Sequence, residues 1–173
     1  TLCRRSSKNE VARIAFNASS HLIRDTPLHL ERVASPRPPP PRPIVEVRAV
    51  DYSRGVDVAP ASGVTAIYGD VLLNAPPYQA RPNAAEWDVT VPGGTYTLSV
   101  QYAAAQARPV NISVNGQTWR NIVLNEVTGC WEPACQKWTD IGTVALRSGS
   151  NTIRFARNDV FPHIRTLKLT PTS

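Results

Sequence analysis

The 173-residue chain contains no methionine, only three cysteines and only nine glycines, and 7% of its residues are aromatic. No apolar run approaches the roughly 18 residues that a membrane-spanning helix needs, so no transmembrane segment is expected. The opening "TLCRRSSKNEVARIAF" lacks the continuous apolar stretch of a secretory leader, and a start on Thr1 reads as a processed or excised fragment. Three cysteines are too few for a disulfide framework. There is no Gly-x-Ser-x-Gly elbow, phosphate loop, His-Glu-x-x-His zinc motif or evident Cys/His partnership. Nucleophile-elbow hydrolase, nucleotide-dependent and zinc-protease chemistries therefore find no foothold.

Acidic residues are outnumbered, 13 against 19 Lys and Arg, for a net charge of +6. The imbalance is local. Residues 1–43 hold eight Lys/Arg against three Asp/Glu, whereas residues 44–173 hold eleven against ten. A body carrying only +1 presents no basic face to a phosphate backbone, so no nucleic-acid partner is expected.

Proline is what the chain has in excess. "SPRPPPPRP", residues 35–43, fixes successive backbone dihedrals and removes amide donors, so it reads as an extended polyproline II linker. Its Arg-flanked form also suits an aromatic SH3-type groove. Before it, residues 1–34 form a basic N-terminal arm in which Val11, Ile14, Ala15, Ala18 and Leu22 follow helical spacing, predicting a short helix around 10–24. "NAS" at 17–19 and "NIS" at 111–113 match the N-glycosylation pattern.

From Ile44 to the end the pattern changes to short alternating runs between turn residues. "IVEVRAV", "TAIYGDVLL", "AEWDVTV", "TYTLSVQYA", "PVNISV", "TWRNIVLNEV", "TDIGTVAL", "NTIRFA" and "HIRTLKLT" read as strands, with "PGG", "NGQ" and "RSGS" as turns. Nine or ten such strands without helical periodicity predict an all-β fold, a two-sheet antiparallel β-sandwich or jelly roll over 44–173.

Two of the four tryptophans stand inside "GCWEPACQKW", Gly129 to Trp138. Cys130 and Cys135 are spaced for a loop-closing disulfide, which requires an oxidising compartment; two reduced thiols or half of a zinc site are the other readings. A closed loop holds Trp131 and Trp138 in place and lowers the entropy lost when a ligand docks. The C–H face of a pyranose suits a flat indole while its hydroxyls suit Asn, Arg, Asp or Gln. Candidate platforms are Trp131, Trp138, Trp119 and Tyr78, with Glu132, Gln136, Arg157, Asn158 and Asp159 as polar partners. Trp87 alternates with Val89 and Val91 and is expected in the core. Glu86 and Asp88 share a strand face, and only burial in a cleft with divergent pKa values would make them a catalytic pair.

Residues 44–172 resemble a carbohydrate-binding module of the family 6 and 35 type. The resemblance is carried by "AEWDVTVPGGTYTLSVQYAAAQARPVNISVNGQ", by "VALRSGSNTIRFARNDVFPHIRTLKL" and by the Trp-rich loop between them. It implies a galactose-binding-like β-sandwich, commonly attached to secreted polysaccharide-active enzymes, that takes ligands on loops at one end or on a sheet face. Trp138 falls where a ligand-stacking Trp often stands, and His163 replaces a frequent sugar-contacting Asn. The family's structural calcium is not expected here, because Glu46 is kept but Arg48 and Arg165 replace acidic residues, and a hard cation needs oxygen ligands. A charge network of Glu46, Arg48 and Arg165, with Asp51 within reach, is the expected substitute; three solvent-facing side chains of little value are the alternative.

The resulting expectation is non-catalytic binding of a polysaccharide or oligosaccharide by aromatic stacking and hydrogen bonds, neutral or uronic, with no cofactor. The module would hold an attached catalytic domain or assembly near its glycan, in a secreted, periplasmic or cell-surface setting. The alternative is a structural or protein–protein interaction β-sandwich of an extracellular protein.

Overall fold

The computed structural model describes residues 40–172, and Pro40–Ser173 form one compact unit. The arm 1–34 with its expected helix, Cys3, the Asn17 site and most of the linker lie outside the described residues.

Eleven strands follow one another among the described residues: β1 Val45–Arg48, β2 Arg54–Val56, β3 Val58–Pro60, β4 Leu72–Asn74, β5 Asn83–Val91, β6 Gly94–Ala103, β7 Val110–Val114, β8 Gln117–Val123, β9 Lys137–Leu146, β10 Gly149–Arg157 and β11 His163–Pro171. Short 3₁₀ helices occupy Ala49–Asp51, Gly63–Tyr68 and Pro133–Cys135. The first sheet runs β3-β4-β11-β6-β9, with β1 also paired to β11, and the second runs β2-β5-β10-β7-β8. Neighbouring strands pair antiparallel, so the chain forms the two-sheet β-sandwich that its alternation predicts.

Period-two patterning sends one side of each central strand into the space between the sheets. Trp87, Val89 and Val91 of β5 meet Ile153 and Phe155 of β10 there, facing Tyr96, Leu98, Val100 and Tyr102 of β6 and Leu167 and Leu169 of β11. Trp87 is buried, packs edge-on against Phe155 at 5.2 Å and donates its indole N–H to the Ala49 carbonyl at 3.1 Å. That bond removes the cost of an unpaired indole nitrogen in an apolar core. The outward face of β5 is polar. Arg54 bridges Glu86 and Asp88 at 2.6 Å each, Arg154 reaches Glu86 at 2.7 Å and Thr152 donates to Asp88 at 2.7 Å.

Two strand expectations change. "TAIYGDVLL" does not extend from Thr65: Ser62 and Thr65 form a capping box, Gly63 takes φ +54°, and the segment coils as a 3₁₀ helix before β4. β8 carries Ile122 at φ +55° where its register with β7 shifts, and it stops at Val123, before Leu124 at φ +58°. The "NGQ" expectation is met by Asn115 and Gly116 at φ +52° and +79°, the two-residue turn that joins β7 to β8. β2 and β3 are three residues each and too short to show alternation.

Candidate functional site

At the end of the sandwich marked by Ala103 and His163, the connections between strands converge. The 3₁₀ helix Gly63–Tyr68, the segment after β4, the β6–β7 loop, the disulfide loop and the β10–β11 loop meet around a pocket of about 300 Å³. Its lining is Val64, Thr65, Tyr68, Leu73, Asn74, Tyr78, Arg108, Trp131, Val160 and His163.

Backbone bonds hold these loops to each other. Thr128 donates its amide to the Ala104 carbonyl and accepts the Ala104 amide on Oγ1, each at 2.8 Å. Asn83 donates to Asp159 O at 2.8 Å, Arg157 to Pro109 O at 2.8 Å and Arg108 to Phe161 O at 2.8 Å. Cys130 and Cys135 are joined by a disulfide around the Pro133–Cys135 turn, with their Cα atoms 5.4 Å apart. Tyr78, 41% exposed, follows the cis Pro76–Pro77 peptide at φ +62° and presents its ring to the pocket.

His163 is buried between Tyr68, at 4.4 Å between ring centroids, and Trp131, at 4.8 Å. Its Nδ1 lies 3.1 Å from the Trp131 carbonyl. Burial holds the imidazole down at about 4, so at neutral pH the ring is uncharged, Nδ1 donates to that carbonyl and Nε2 remains an acceptor. Arg108 lays its guanidinium 3.9 Å from the centre of the Trp131 ring. Burial lowers its pKa, with repulsion from Arg157 adding to the effect, yet an arginine stays cationic. No carboxylate pairs with Arg108 among the described residues, and its Nε is buried without a partner. Asn74, 5% exposed, likewise leaves Nδ2 without a hydrogen bond. The pocket lining thus combines aromatic walls with an amide, a cation and a neutral imidazole.

Of the side chains singled out from sequence, the structure gathers Tyr78, Trp131 and His163 around this pocket. Trp131 is a wall and not an open platform, since Arg108 covers one of its faces. Trp138 sits elsewhere: it is 43% exposed, stands beside Gln101 on the outer side of the first sheet, and carries the Lys168 ammonium 4.3 Å from its ring. Trp119 is half-buried on β8, with the Arg120 guanidinium 5.1 Å from its ring. Glu132 turns back to accept the Trp131 amide at 3.0 Å, Arg157 is engaged by Pro109 and by Asp159 at 3.2 Å, and Asn158 is exposed; none of these lines the pocket. Sequence reasoning missed Arg108, Asn74 and Tyr68. Only Asn74 left a signal, a polar residue closing the apolar run "VLL".

The residues at the calcium positions do not suit a calcium ion. Arg48 points both its Nε and Nη2 at Asp70, at 2.9 and 2.8 Å, and Arg165 donates to Gln136 at 2.9 Å. Glu46 enters no ion pair among the described residues; Arg48 does come within 3.9 Å of Asp51, as expected, but its closer partner is Asp70. No cluster of three His, Cys, Asp or Glu is found among the described residues. Glu86 and Asp88, the catalytic alternative, are both held low by the hydrogen bonds of Arg54, Asp88 at about 2, and lie on an open sheet face. Neither can keep a proton to donate at neutral pH.

No protein-family model and no curated protein matches the chain. Solved structures do. A family 35 carbohydrate-binding module from Clostridium thermocellum is 26% identical, with a TM-score of 0.60 over 75% of this chain and 99% of that one. The CBM35 from Paenibacillus barcinonensis is 23% identical with a TM-score of 0.57, covering 74% of this chain and 99% of that one. The C-terminal CBM6 of a marine laminarinase from Zobellia galactanivorans shares the fold at 15% identity, with a TM-score of 0.57 over 74% of this chain and 99% of that one. In its two-sheet architecture and its extent, the β-sandwich of this chain is thus similar to carbohydrate-binding modules of the family 6/35 type.

Proposed function

We propose that the module binds the end of a glycan chain in the loop-end pocket and does no chemistry on it. The observation that carries this reading is a single loop-end pocket whose lining joins the rings of Tyr68, Tyr78 and Trp131 to the polar side chains of Asn74, Arg108 and His163. Tyr78 and the edge of Trp131 take the C–H surface of the sugar, and His163 Nε2 accepts a hydroxyl proton. Arg108, with no carboxylate of its own, favours an acidic sugar over a neutral one.

The module is a secreted targeting device on this reading. The disulfide fits an oxidising compartment, and the proline-rich segment is a spacer to an attached catalytic domain or assembly. Retention on a polysaccharide raises the partner's effective concentration there. One observation favours the protein-binding alternative: Val64 and Ile67, on the 3₁₀ helix at the pocket rim, are 83% and 66% exposed.

A glycan array spanning neutral and uronic oligosaccharides, followed by titration of the best hit, tests the reading. Arg108→Gln is expected to weaken an acidic hit by about tenfold or more, the worth of a charge-assisted hydrogen bond. Tyr78→Ala weakens acidic and neutral hits alike, while Trp138→Ala leaves both unchanged. Loss of binding in Trp138→Ala alone moves the site to the sheet face. No binding across the array, with the fold intact, leaves the protein-binding alternative.

A further inference from the structure

Asp70 lies immediately after Gly69, the C-cap of the 3₁₀ helix that forms one pocket wall. Gln136 closes the 3₁₀ turn inside the disulfide loop that carries the opposite wall, Trp131. The two segments touch: a Cβ at Gly69, φ +75°, would stand 3.0 Å from the Pro133 ring. Both are held from the first sheet. Arg48, at the end of β1, grips Asp70 with two nitrogens, and Arg165 of β11 donates to Gln136. Arg165 occupies the point where the β6–β11 register shifts between Ile164 and Thr166. That irregularity falls where β11 changes neighbour, pairing β4 at Ile164 and β1 from Thr166 onward. A bulge re-aims the side chain it carries, and this one places a second guanidinium within electrostatic reach of Asp70.

We infer that Arg48 and Arg165 are the resident cations of this corner, holding both pocket walls through Asp70 and Gln136 and making the module independent of a divalent metal. The inference rests on the proposed function only for what the walls are held to do. A metal ion gathers oxygen donors from several loops at one point; here two guanidiniums bring a carboxylate and an amide oxygen to the same sheet edge, and the only carboxylate among these four side chains is already taken. The Arg48–Asp70 pair is exposed and the Arg165–Gln136 bond only part-buried, so their worth to global stability is small. Their effect is local: they decide how often the walls open.

Hydrogen exchange on the free module, with melting in excess calcium chloride and in EDTA, tests this without any glycan. The wild type is expected to show the same exchange in both conditions and a melting midpoint that moves by less than about 1 °C. Asp70→Asn raises exchange severalfold in segment 63–70. Arg165→Gln raises it in 130–136 and, more weakly, in 63–70, while Arg165→Lys, which keeps the cation, restores protection in 63–70. A calcium-dependent rise in midpoint or protection of the wild type overturns the inference. Unchanged exchange in both segments of Arg165→Gln overturns it equally. Should exchange behave as expected while no glycan binds, the proposed function fails and the cation assignment stands.

Discussion

His163 was picked out from its position in a resemblance, and what the structure gives it is a tautomer. Enclosed by Tyr68 and Trp131 and hydrogen-bonded through Nδ1, it titrates at about 4 in place of the ordinary 6.5. The folded protein therefore binds this proton more weakly than the unfolded chain. Its contribution is whole above the unfolded pKa and is lost as pH falls from about 6.5 through about 4. The loss amounts to at most about 3 kcal/mol for a displacement of this size. Urea unfolding at neutral pH and near pH 4.5 is expected to show the wild type losing a large part of that, with His163→Gln showing a flatter profile between the two. Parallel profiles would show that other groups carry the acid sensitivity.

Among the elements, the disulfide loop supplies the indole wall of the pocket. It holds Trp131 beside His163 and Arg108, and its 3₁₀ turn touches the neighbouring wall at Gly69. Closing so short a loop is worth about 2 kcal/mol by loop entropy. The double variant Cys130→Ala, Cys135→Ala is expected to lose up to about that much in chemical denaturation, and to lose glycan affinity by a larger factor than its global stability predicts. Equal affinity in the variant would mean that Arg108 and His163 hold Trp131 without help. The 3₁₀ helix Gly63–Tyr68 makes the complementary point, since a segment with the composition of a strand becomes a coiled wall once Ser62 and Thr65 cap it.

In the whole molecule, the pocket and the chain entry stand at opposite ends. His163 and Ala103 pair at the pocket end of β11 and β6, while Pro171 and Tyr96 pair at the other. There Arg42 donates to the Thr95 carbonyl at 3.2 Å and to that of Thr172, and lies 5.2 Å from the Tyr96 ring. Between the ends, Trp87 is the largest side chain joining the two sheets and is 1% exposed. Trp87→Ala is expected to cost about 3–5 kcal/mol by cavity formation. Denaturant midpoints would register it as a loss across both sheets at once, and a loss under about 1 kcal/mol would mean that the core closes around the gap.

Most of the strands along the chain, the inward side shared by Trp87, Val89 and Val91, and the Asn115–Gly116 turn were legible because alternation and turn chemistry are local properties. The spacing of Cys130 and Cys135 fits the bridge they form, while the other readings of that spacing needed the fold to set them aside. Which aromatics face one another was not legible. Trp138 lies seven residues from Trp131 along the chain yet points onto a sheet face, and Arg108 reaches Trp131 from another loop altogether. Position along the chain fixes which side of a strand a residue takes. The meeting of loops from strands distant in sequence is set by sheet order, and only the packed sandwich decides that.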